Sequence, residues 1–141
     1  MKKIIFTLAI LGFVLVSCNK EKRAMKKLEG NWNVTAISVD SSGVSIDYWA
    51  QLQALGITSM SMNFENCGTD AACNLYTTSA GSFFGVPFSD TDTASYEVSD
   101  DGASITIDTD TGTIDELTNS SLVISQVDGN TTQTVTMEKV D

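Results

Sequence analysis

Apolar residues alternate with Ser, Thr, Asn and Asp along most of this 141-residue chain. That two-residue period admits one kind of local structure. A strand turns successive side chains to opposite faces, so alternation describes a sheet buried on one side and wet on the other. "SMSMNF" aligns Met60, Met62 and Phe64, and "NWNVTA" puts Trp32, Val34 and Ala36 on one face. "GVSIDY" does the same for Val44, Ile46 and Tyr48, "ASYEVS" for Tyr96 and Val98, and "SITID" for Ile105 and Ile107. "SLVISQ" pairs Leu122 with Ile124, and "TVTMEK" groups Val135, Met137 and Lys139. With strands near 73–78 and 113–117 the count is eight or nine, separated by Asp-Gly and Asn-type turns. Only "YWAQLQAL", 48–55, has helical spacing, with Trp49, Leu52 and Leu55 close to one face. Residues 28–141 suffice for one core, and no period of 20–50 residues repeats. Consecutive hairpins favour a meander that closes on itself and so removes its exposed edges. The predicted fold is all-β: an up-and-down antiparallel barrel of about eight strands, with one short helix near 48–55.

Ahead of that domain, Met1, Lys2 and Lys3 precede fourteen uncharged, mostly apolar residues, Ile4 to Ser17. A bilayer span needs about 20 such residues, so the segment reads as a secretory signal with a cationic head and an apolar middle. Its end, Leu15-Val16-Ser17-Cys18, resembles the lipobox of bacterial lipoproteins. The resemblance implies cleavage of 1–17 and acylation of Cys18, whose acyl chains then partner membrane lipid. Residues 18–27 would form a basic tether, and 28–141 the barrel domain. "NKEKR" after the cysteine partly resembles the surface-export signal of Bacteroidetes-type lipoproteins. The periplasmic face of the outer membrane and the cell surface are both left open. Asp92-Thr93-Ala94 fits the O-glycosylation motif of those bacteria, making Thr93 a candidate sugar site.

Charge is divided unevenly. From Asn19 to Lys27 five basic residues outnumber one acid, giving +4, whereas from Leu28 onward Lys139 stands alone against 17 acids, giving −16. Basic segments beside an anchor are drawn to anionic headgroups, and an acidic body is repelled by them. The same acidity excludes nucleic acid as a partner, because phosphate binding needs Lys and Arg.

Export leaves Cys67 and Cys73 as an even pair in an oxidising compartment. They are spaced C-x5-C around Gly68-Thr69-Asp70, a turn-like centre that brings two facing cysteines within disulfide reach. A bond closing so short a loop stabilises by about 2 kcal/mol. The chain has no histidine, so Ser-His and Cys-His nucleophile pairs are excluded and a zinc site is disfavoured. "DTDTGTIDE", Asp108 to Glu116, places Asp108 and Asp110 at calcium-loop positions, but Gly112 and Asn119 fall where further ligands belong, and a hairpin turn fits better. Neither catalysis nor a metal or other cofactor is indicated.

"LEGNWNV", with Gly30-Asn31-Trp32 opening the first strand, resembles the G-x-W motif of lipocalins. "IDELTNSSLVIS" is similar to a late hairpin of lipocalin-like lipoproteins from Bacteroidetes. The resemblance implies Trp32 at the closed end of the barrel with a basic side chain stacked on it. Lys139 shares the face of Val135 and Met137 and is the candidate, although the family's usual residue is arginine. An eight-stranded barrel either holds one small ligand or fills its interior with side chains. The resemblance favours a small hydrophobic ligand, with Met60, Met62, Phe64, Phe83, Phe84, Tyr96, Val98, Ile105 and Ile107 as candidate cavity residues. A second role is a non-catalytic accessory module contacting an outer-membrane protein or a glycan through "GSFFGVPF", Gly81 to Phe88, read as an aromatic loop without strand alternation. A cavity opening near Phe83 and Phe84 distinguishes the carrier from the contact module.

Overall fold

Alternation becomes sheet throughout the computed structural model, which describes residues 20–66 and 73–140. The signal run, Cys18 and Cys67 lie outside the described residues. The strands are β1 (Gly30–Ser41), β2 (Val44–Asp47), β3 (Ile57–Phe64), β4 (Cys73–Phe83), β5 (Val86–Val98), β6 (Ser104–Ile107), β7 (Asp110–Leu117), β8 (Ser121–Asp128) and β9 (Thr131–Lys139). From β3 to β9 each pairs antiparallel with the next, and β9 returns to β1 from Trp32↔Lys139 to Ser41↔Thr131. β1 also pairs β3 from Gly30↔Phe64 to Asn33↔Ser61. The result is a closed barrel of eight strands with β2 added on the upper part of β1, at Ser38↔Asp47 to Ser41↔Val44.

The register departs from simple alternation where β1 meets β9. A bulge between Val34 and Ala36 inserts one residue, so Trp32 and Val34 are buried, Ala36 is exposed and Ile37 takes the inner position. The expected Ala36 contact is therefore replaced by Ile37. β2 is exposed along its whole length: it hangs on the same edge of β1 as β3, beyond the point where that pairing ends, with Val44 and Ile46 both exposed. "GSFFGVPF" is not a loop. It is the distal end of the β4–β5 hairpin, turning at Phe84 and Gly85, with Phe83 opposite Val86 and Gly81 opposite Phe88.

Among the described residues, two helices complete the fold. The stretch read as a tether is folded from residue 20: α1, covering 20–28, buries Ala24 and Leu28 on one side, one turn apart. The domain therefore begins before residue 28. Helix α2 (Tyr48–Ala54) is capped by Asp47, whose Oδ1 accepts from Ala50 N at 2.9 Å. Trp49 and Leu52 pack against the core, while Leu55 terminates the helix and is exposed. α2 lies against β1 and β3 where β1 passes from its β3 pairing to its β2 pairing. At the start of β3, Gly56 (φ +101) brings its carbonyl to Ser82 N at 2.8 Å. Any Cβ there would run into the Ser82 carbonyl, so only glycine fits.

The barrel has two unlike ends. The hairpin turns at Ser42 and Gly43, Phe84 and Gly85, Asp108 and Thr109, and Gly129 and Asn130 mark one, the mouth. Helix α1 and the connections at 99–103 and 118–120 gather at the other, the base. Trp32, Phe64, Leu75, Tyr96, Ile105, Leu122 and Met137 are almost wholly buried toward the base, whereas Met60, Met62, Ile107, Ile114, Ile124 and Val135 are only half-buried above them.

Candidate functional site

The base is assembled around the end of α1. A helix leaves its last carbonyls without intrahelical partners. Here Glu29 N makes the last i to i−4 bond, to Met25 O at 3.0 Å; beyond it the Trp32 Nε1–H donates to Leu28 O at 2.6 Å, and Lys139 Nζ donates to Lys27 O at 2.9 Å. Lys139 Nζ also stands 5.2 Å from the Trp32 ring centroid, within cation–π range. Gly30 supplies the turn between helix and strand: its φ is +110, a region other residues rarely enter, and a Cβ added there would lie 3.5 Å from Lys139 Cε. The G-x-W spacing thus has a physical content, a reversal followed two residues later by an indole that caps the preceding helix.

Phe64 and Tyr96 fill the floor edge to face, centroids 5.1 Å apart. The Tyr96 hydroxyl donates to Glu65 O at 2.9 Å. Burial, with smaller contributions from the Glu29 and Glu65 charges, pushes the phenol up to about 12 from its ordinary 10.0. Beside it Cys73 is buried at the start of β4, opposite Tyr96. On the other side of the base the Ser99 hydroxyl and the Ala103 N–H donate to Asp101 Oδ1 at 2.6 and 3.0 Å and hold its carboxyl below the usual range. That turn sets Gly102 against Lys20 and Ala24 of α1.

Above the packed floor lies a half-open cavity of about 360 Å³, lined by Ile105, Ile107, Ile124 and Gly112 below and by Asp108, Thr109, Asp110 and Gln126 at its lip. Its cause is a mismatch of strand lengths. β5 has 13 residues and β6 only 4. They pair at Tyr96, Glu97 and Val98 alone, while Asp108 bonds Ser95 through N→O and Oδ1←N, both 2.8 Å. Beyond that stitch, among the described residues, the remaining edge of β5 at 86–94 has no strand partner on this side, and the wall is open.

The nine candidate cavity residues therefore divide. Ile105 and Ile107 line the cavity. Phe64, Tyr96 and Val98 are buried floor, and Met60 and Met62 are half-buried wall on β3. Phe83 and Phe84 do not line this cavity. They stack on each other at 4.5 Å on the hairpin tip, 57% and 93% exposed, because β4 and β5 outrun the strands beside them. Thr93 is exposed on β5 opposite Tyr76. Ile124, which alternation puts on the inner face with Leu122, lines the cavity as well; sequence reasoning missed Gln126 as a lining residue and α1 as part of the base. The Ala24, Met25, Leu28 spacing is the signal that could have found the helix.

No family model matches this sequence, and no curated protein is detectably similar to it. Solved structures do resemble it. Japanin from Rhipicephalus appendiculatus, bound to cholesterol, superposes with a TM-score of 0.59 over 79% of this chain and 74% of that one, at 7% identity. The siderocalin Ex-FABP, reported to function through dual ligand specificities, gives 0.42 over 82% and 74%, at 14% identity. A redesigned β-barrel gives 0.39 over 84% and 96%, at 14% identity. The japanin superposition shows a shared lipocalin-type barrel fold.

Replacing Trp32 by Phe leaves the Leu28 carbonyl buried without its donor and should lower unfolding free energy by about 2–4 kcal/mol. Urea denaturation measures it, and a loss below about 0.5 kcal/mol would show that the indole does not hold α1. Tyr96 gives a pH test. Its folded pKa exceeds the unfolded value, so its contribution is whole below about pH 10 and declines as pH rises toward 12. The urea midpoint of the native chain should fall more steeply between pH 10 and 12 than that of the Tyr96→Phe variant, and parallel curves would refute the assignment.

Proposed function

We propose that the chain is a non-catalytic carrier holding one small hydrophobic molecule in its upper barrel. The observation that carries this reading is the cavity of about 360 Å³ floored by packed side chains and open at the mouth, a size in the range of small-ligand sites. Isoleucine walls give the ligand an apolar surround, and Met60 and Met62, half-buried on β3, are adaptable side chains of the same barrel. The shared fold of japanin, crystallised bound to cholesterol, supports the same class of ligand.

The lipobox makes this carrier a lipocalin-like lipoprotein of the Bacteroidetes type, anchored in the outer membrane through acylated Cys18 and facing the periplasm or the cell surface. Cys18 precedes α1 by two residues. An anchor there would set the base, with the exposed Lys20, Lys22, Arg23, Lys26 and Lys27, toward anionic headgroups, and turn the mouth outward. Cys73 and Cys67 form the structural disulfide in this reading, and Thr93 carries a sugar on an exposed strand face. The contact-module reading retains one observation of its own. Phe83, Phe84 and Val86 form an exposed apolar tip of the kind that meets a protein partner.

Organic extraction of the purified, delipidated chain should release a hydrophobic molecule in roughly stoichiometric amount. Ile107→Trp, which fills the cavity from a half-buried position, should weaken its rebinding at least about tenfold, or 1.4 kcal/mol, with little change in melting temperature. An empty extract with unchanged rebinding properties in Ile107→Trp favours the tip as the working surface instead. Intact mass of the membrane-extracted protein should show acyl chains on a chain starting at Cys18, two hydrogens fewer than the reduced form, and a glycan lost in Thr93→Ala. A mass equal to the unprocessed polypeptide would remove all three.

A further inference from the structure

Among the described residues, no cation meets a carboxylate around the cavity. Asp108 and Asp110 stand at the lip, over Ile107 and Ile124. Alternation along β5 puts Asp90 and Asp92 on the inner face that carries Tyr96 and Val98, on the wall bordering the opening. No basic side chain among the described residues lines the cavity. The one basic residue after Lys27 is Lys139, and it is spent at the opposite end, over Trp32 and on the Lys27 carbonyl. The other described basic residues sit on α1, also at the base.

A cleft of one sign with low-dielectric walls focuses its field and enriches the opposite charge within it. A ligand with a carboxylate or phosphate head would enter that field with no lysine or arginine to meet it. A neutral hydrophobe would gain nothing from it. A bare metal ion fits no better: three of the lining side chains are isoleucine, Asp108 Oδ1 already accepts from the Ser95 N–H and hydroxyl at 2.8 and 3.1 Å, and no three metal-binding side chains converge among the described residues. What matches both halves of the site is a molecule with an apolar body and a positive head.

We propose that the cavity takes a cationic amphiphile, its hydrocarbon part against Ile105, Ile107 and Ile124 and its amine or quaternary ammonium head at Asp108 and Asp110. This inference rests on the carrier reading and narrows it from any small hydrophobe to one charge class. The cavity supplies the apolar contact, and the carboxylates select the sign of the head.

The experiment compares three probes of equal chain length, octyltrimethylammonium, 1-octanol and octanoate, titrated calorimetrically into the full chain at low and high salt. Octyltrimethylammonium should bind at least about tenfold tighter than octanol at low salt, with the margin shrinking as salt rises, because screening acts on the charged head alone. Octanoate should bind more weakly than octanol. The double variant Asp108→Asn, Asp110→Asn keeps the shape of both side chains, and asparagine tolerates the positive φ at 108. It should bring the cation down to octanol's affinity and leave octanol unchanged. Equal affinity of cation and alcohol, or a variant that loses both together, overturns the charge selection while the carrier reading stands. Failure of all three probes to bind overturns both.

Discussion

The end of α1 is the point on which the barrel depends. Two carbonyls that a helix cannot satisfy for itself, those of Leu28 and Lys27, are met by the Trp32 indole and the Lys139 ammonium. Trp32 and Lys139 are cross-strand partners in the β1–β9 pair that closes the sheet. Closing the barrel and sealing its base are therefore one event. The ammonium sits near the negative end of the helix and over the face of an aromatic ring, and both contacts favour its charge. A barrel whose first and last strands met without this cluster would expose Trp32, Leu28 and Met137, three of its most buried side chains, at an open end.

That cluster was visible in the sequence only as a spacing. Gly30, Trp32 and the even step from Val135 to Lys139 could be read as a stacked pair, and the structure places them at 5.2 Å. The helix that the pair caps could not be read so easily, since five cations in 20–27 look like a solvated tether and only Ala24 and Leu28 are buried. Period two located the strands well because each has one wet face. It failed where the two faces do not differ. In β2 and upper β5 both faces meet water, so "GSFFGVPF" gave no alternation and read as a loop although its backbone is paired residue by residue. The bulge at Val34 and Ala36 was illegible for a different reason: one inserted residue flips the pattern without leaving a mark in composition.

Strand length, rather than residue type, decides where the cavity lies. The inner face is apolar from the base up to Ile107, Ile124 and Val135. It ends there because β6 turns at Asp108 after four residues while β4 and β5 continue to Phe83 and Val86. The short hairpin leaves a notch in the wall. The αL turn at Asp108 (φ +53) stitches its edge to Ser95 and so fixes how far the notch descends. Gly112 on the facing strand leaves Ile124 its room, because a Cβ there would lie 2.9 Å from Ile124 Cγ2. An added side chain at 112 would reshape the cavity before any change in the isoleucines that line it did.

An open strand edge beside a cavity is also a site for unwanted pairing with another chain. The edge of β5 between 86 and 94 is left exposed, and its residues oppose that hazard. Pro87 removes one N–H that a visiting strand would need, and Asp90 and Asp92 put charge on the inward face, where a second hydrophobic strand would have to bury it. The carboxylates that set the sign of the cavity therefore have a second physical consequence. They keep the notch from being closed by a neighbouring strand, so the interior stays accessible to a small molecule. A wall made of threonine and valine at those positions would satisfy the strand pattern equally well and lose both properties together.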